Sequence, residues 1–131
     1  MNLIGSVVIS IAIALSGFHN RQYTYIDGSA NSYEVTAESV HYVPIKPENS
    51  SSGSYDGGEE WARGIDHATF HKLEILFLEA IKDTSGHIEN RIKGSGMIIY
   101  FDDDTEKSVV LASGSNSKDT LESALRQLEE Q

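Results

Sequence analysis

Residues 97–112 read Met97-Ile98-Ile99-Tyr100-Phe101-Asp102-Asp103-Asp104-Thr105-Glu106-Lys107-Ser108-Val109-Val110-Leu111-Ala112. Two runs rich in β-branched and aromatic residues, Met97 to Phe101 and Lys107 to Ala112, flank five very polar positions. That pattern predicts a β-hairpin, because such residues pack well on a pleated surface and the polar stretch solvates the reversal. Strands joined by so short a connection pair antiparallel. The acids at Asp102, Asp103, Asp104 and Glu106 lack the glycine at the sixth position and the distant glutamate of a helix-loop-helix calcium site. They read instead as a solvated turn whose charge discourages edge-to-edge aggregation.

The same reasoning extends upstream. Gln22 to Ile26 and Ser32 to Ala37 flank Asp27-Gly28-Ser29-Ala30-Asn31 and predict a hairpin with a longer loop. Alternation puts Tyr23 and Tyr25 on one face of the first strand, and Tyr33, Val35 and Ala37 on one face of the second. Val40 to Ile45 predicts a third strand that lies at an edge or ends at Pro44, which has no N–H to give a ladder. Lys46 to Glu60 contains no aliphatic residue except its proline and predicts an internal loop of about 15 residues.

Asp66 fits the N-cap of a helix running to about Asp83, with Gly86 placed for a left-handed C-cap. Phe70, Leu73, Phe77, Ala80 and Ile81 form its buried stripe, which Leu76 widens. Ile75 and Leu78 fall outside the stripe and predict cover on a second side. Ile88 and Ile92, one turn apart, predict a short helical piece, and Gly94-Ser95-Gly96 a flexible turn. Asp119 and Glu122 fit a capping box for a last helix, with Leu121, Ala124, Leu125 and Leu128 as its stripe. The expected fold is α+β, an antiparallel sheet of four to five strands packed against two helices, in a single domain spanning residues 1–131.

Composition narrows the function classes. Absence of cysteine excludes disulfides, thiolate nucleophiles and Cys-ligated metals. Twenty acids against ten bases, a formal charge of -10, argue against nucleic acid and anionic membrane surfaces as partners. From Asn2 to Phe18 no side chain is charged, and an apolar run extends from Leu3 to Leu15. A transmembrane helix needs about 20 apolar residues, so no stable span is expected. Residues 1–17 read either as an export signal, with Ala12-Ile13-Ala14 as a small-x-small cleavage pattern, or as a buried strand built on Val7, Val8, Ile9, Ile11 and Ile13. No Lys or Arg precedes the run, which weighs against the signal. Leu15-Ser16-Gly17 resembles the triplet before the lipid-bearing cysteine of bacterial lipoproteins, but Phe18 stands at that position, so a lipid anchor there is chemically impossible. The expectation is a protein outside the cytoplasm, in the periplasm or beyond.

Chemistry-bearing constellations are sparse. His67, His71 and Glu74 share a helix side and offer zinc-type ligands, but Ala68 stands where the general base of a His-Glu-x-x-His protease would be. They read as surface and boundary residues of the helix, with a small hydrolase or metal-dependent enzyme as the alternative. Gly94-Ser95-Gly96 and Ser113 to Ser117 lack the Lys-Ser/Thr ending of a P-loop, and no cofactor is expected. Lys118, ahead of the last helix, is a remote anion candidate. Tyr55 within the long loop and Trp61 at its exit are the candidate binding residues, since Tyr and Trp bury large area at low entropy cost. The reading is therefore a small non-enzymatic domain, exported or envelope-associated, that binds another macromolecule, a protein, through its loops. A protease-inhibitor-like module using residues 46–60 is a further alternative.

Overall fold

The computed structural model describes residues 21–131, so the two readings of residues 1–17 lie outside it. The elements run β1 (Tyr23–Ile26), β2 (Ser32–Val35), β3 (Ser39–Val43), β4 (Trp61–Gly64), α1 (His67–Lys82), β5 (His87–Ile88), β6 (Gly96–Asp102), β7 (Thr105–Leu111) and α2 (Asn116–Glu129). Among the described residues every strand pairing is antiparallel, in the order β4-β3-β2-β1-β6-β7-β5. The α+β fold with an antiparallel sheet against two helices is thus the observed one.

Among the described residues seven strands form, where the sequence predicts four to five. The additions are β4, whose Trp61 and Gly64 escape an aliphatic pattern, and the two-residue β5, which replaces the helical piece expected over Ile88 and Ile92. His87 and Ile88 pair with Leu111 and Val110, and Ile92 is exposed. β3 ends at Val43, immediately before Pro44, although β4 makes it an interior strand. The 97–112 hairpin forms in register, Met97 opposite Val110 and Asp102 opposite Thr105. Its two connecting residues, Asp103 and Asp104, have φ of 51° and 67°, the double left-handed geometry of a type I′ turn that matches strand twist.

Cross-strand neighbours share a face. Tyr23, Tyr25, Tyr33, Val35, Val40, Tyr42, Ile98 and Leu111 point to one side and form the core with Phe70, Leu73 and Phe77 of α1 and Leu121, Leu125 and Leu128 of α2. Rings dominate it: Tyr23 stacks on Phe77 at 4.6 Å between centroids, and Tyr33 lies 4.9 Å from Tyr42. The helix stripes are those the sequence spacing gives. Ile75 and Leu78 are about two-fifths exposed, with no second cover among the described residues.

Helix ends show two departures. Asp66 caps α1 as expected, accepting from the Thr69 N–H, but Gly86 closes a 3₁₀ turn after the helix and takes no left-handed conformation. α2 starts earlier than the Asp119 capping box implies: Ser115 is its N-cap, bonded to the Lys118 N–H, and Asp119 sits in its first turn. Lys118 therefore lies inside the helix, and Glu122 is free for a different role.

Candidate functional site

β1 carries two adjacent same-face tyrosines, and each reaches a glutamate on a different helix. The Tyr23 hydroxyl donates to Glu74 of α1 at 2.7 Å, and the Arg21 guanidinium pairs with the same carboxylate. The Tyr25 hydroxyl donates to Glu122 of α2, which also holds Lys118 Nζ at 3.1 Å and Arg126 at 3.2 Å. Burial pulls the Glu74 carboxyl upward, but the hydrogen bonds from Arg21 and Tyr23 outweigh it and hold Glu74 below the usual carboxylate range. Burial, reinforced by the carboxylates, pushes both tyrosines far above their ordinary range, so their hydroxyls remain protonated donors.

This arrangement bears on the His67, His71 and Glu74 constellation. Glu74 faces the core and is committed to Arg21 and Tyr23, whereas His67 and His71 are exposed and border an open hollow with Arg21 and Phe70. The shared helix side does not bring the three together, because Glu74 turns under the sheet while the histidines face outward. No group of three or more metal-ligating side chains gathers among the described residues. Lys118 is likewise committed, to Glu122.

The two candidate aromatics have different surroundings. Trp61 belongs to β4; its ring stacks on Tyr42 at 5.7 Å and meets Tyr33 edge-on, with the Arg63 guanidinium 5.7 Å from the ring centroid. Its indole N–H is enclosed there without an acceptor among the described residues. Tyr55 is 41% exposed.

The loop that carries Tyr55 is tied down by the residue opposite it. Asn31, only 3% exposed, closes the 27–31 turn: its N–H and side-chain amide donate to Asp27, and its Oδ1 accepts from the Ile45 N–H at 2.9 Å. The same amide donates to the Tyr55 hydroxyl at 3.2 Å. Tyr42 donates to the Gly57 carbonyl at 2.6 Å, the Gly57 N–H donates to the Ile45 carbonyl, and Ser50 Oγ accepts from the Tyr55 N–H. A Cβ at Gly57 would stand 2.0 Å from Asn31 Oδ1, which explains the glycine. Between this loop and the 27–31 turn lies a cleft of about 730 Å³ bordered by Gly28, Ala30, Ile45, Ser50, Tyr55 and Lys93. Asn31, the keystone, carried no sequence signal beyond its turn-forming type.

A third arrangement is pH-sensitive. On the opposite sheet face His41 of β3 lies between two acids, Glu34 of β2 and Glu60 just before β4. The Glu60 hydrogen bond, with a smaller one from Glu34, raises the His41 imidazole above its ordinary value. The resulting stabilisation is present below the unfolded imidazole pKa and is lost as pH rises through the raised folded value. An NMR titration of His41 should give a midpoint above that of a free histidine, and Glu60→Gln should lower it. An unchanged midpoint in that variant would refute the Glu60 contact.

No family model, curated protein or solved structure matches the chain. Function must therefore be read from geometry. No helix of the described residues is long and apolar enough to cross a membrane, and with no cysteine anywhere in the sequence a cysteine-linked lipid is excluded.

Proposed function

We propose that this is a non-enzymatic domain, exported or envelope-associated, that binds another protein through the loop surface formed by residues 27–31 and 46–60. The observation that carries the reading is Tyr55, a large exposed ring whose backbone and hydroxyl are both fixed, by Ser50 and Asn31, at the mouth of a cleft. A ring ordered before binding loses little conformational freedom on contact, so its buried area translates efficiently into affinity. The apolar composition of residues 2–18 supports the exported setting. Peptides selected from a displayed random library on the immobilised full chain, and then measured one by one, should lose about tenfold or more in affinity on Tyr55→Ala, the order of a contact-centre aromatic. Peptides that bind both proteins equally would overturn the loop as the binding surface.

A further inference from the structure

The sheet face turned away from the helices has its own chemical character. Ile26, Ile88, Met97, Ile99, Phe101 and Val110 alternate onto it from four strands, are half-buried, and have no helix of the described residues packed over them. Among the described residues no Lys or Arg occupies a strand position of this face, because Arg63 and Lys107 alternate to the helix side with Val40 and Tyr100 as their cross-strand partners. Its charged strand positions are Glu34 and Glu106, with His41 beside Glu34. The two glutamates stand on β2 and β7, on either side of β1 and β6, separated by three strand spacings, about 14 Å across the sheet, and offset by two residues along it. Between them is a hollow of about 270 Å³ whose lining includes Thr24, Ile99 and Phe101.

We infer that this face is a docking surface for a basic protein segment, one that lays apolar side chains on Met97, Ile99 and Val110 and directs Arg or Lys groups toward Glu34 and Glu106. Charge decides among occupants. A second copy would bring its own Glu34 and Glu106 to the same apolar strip, and like charges brought together across a contact oppose association. A cationic segment gains from both features, since the aliphatic stem of Arg or Lys covers apolar surface while its head meets a carboxylate. The surface is distinct from the Tyr55 cleft and stands or falls independently of it.

The probe is an acetylated, amidated hexapeptide of alternating arginine and valine, with alternating glutamate and valine as its counterpart, titrated into the methyl-labelled full chain. The methyl signals of Met97, Ile99 and Val110 should move with the arginine peptide and stay still with the glutamate peptide. Glu106→Lys, an exposed change, should weaken the interaction about tenfold, and adding Glu34→Lys should weaken it further. Equal response to both peptides, shifts confined to other residues such as Tyr55, or no shift would overturn the inference. Movement of the same methyls with protein concentration alone would assign the face to a second copy and overturn it as well.

Discussion

Replacing Phe77 with alanine lowers the stability of the folded chain by about 3–5 kcal/mol, the range for deleting a fully buried aromatic ring. Phe77 has no exposed surface, belongs to α1, and stacks nearly parallel on Tyr23 at the centre of the sheet. The substitution therefore removes burial, leaves a cavity and loses a ring contact together. The urea midpoint is the measurement. Ile75→Ala, on the exposed side of the same helix, is the control and shifts it far less. Equal midpoints for Phe77→Ala and the parent chain would mean that α1 does not pack on the sheet as described.

Glu122→Ala has an effect of similar size for an electrostatic reason. The carboxylate is bound by Tyr25, Lys118 and Arg126, and the side chains of Glu122 and Lys118 are about one-tenth exposed. Removing it strands the Lys118 ammonium in a poorly solvated site and leaves the Tyr25 hydroxyl without its acceptor, a loss of about 3–5 kcal/mol for a buried pair broken on one side. Arg126 is mostly exposed, and Arg126→Ala costs about 1 kcal/mol or less. The triple variant Tyr25→Phe, Lys118→Met, Glu122→Leu removes every member of the buried group at once. It regains much of the stability, because well-packed apolar replacements can equal or exceed a buried ion pair. Denaturant curves of the three proteins check the ordering, and a triple variant no more stable than Glu122→Ala would contradict it.

Regular periodicity explains what the sequence disclosed. α1 was legible through Asp66 and the spacing of Phe70, Leu73 and Phe77, and the 97–112 hairpin through two β-rich runs around a polar turn. β4 was not, because Trp-Ala-Arg-Gly alternates in burial but not in residue class: Arg63 lies on the helix side with its guanidinium against Trp61 and bonded to the Glu129 carbonyl. β5 is two residues long and owes its strand character to the partner it meets in space, β7. The capping box at Asp119 and Glu122 failed for a related reason, since Glu122 is spent on Tyr25 and Ser115 serves as the cap. At the candidate site, the exposed Tyr55 was legible as a loop aromatic beside glycines. The role of Asn31, which joins positions 27, 45 and 55, exists only after folding.

The pairing of Tyr23 with Glu74 and of Tyr25 with Glu122 sets the order in which the chain can mature. The two contacts join residues 51 and 97 positions apart, and β1 lies beside β6, whose residues come more than seventy positions later. As the ribosome extends the chain, β1 emerges early and finds its hairpin partner β2, but both helix anchors and its other neighbouring strand are still unmade. The core closes only when α2 is free of the exit tunnel, and contacts of such long range make closure slow. Until α2 has formed, the segment that precedes it is therefore an incompletely folded substrate, open to chaperones and to any machinery that handles extended polypeptides.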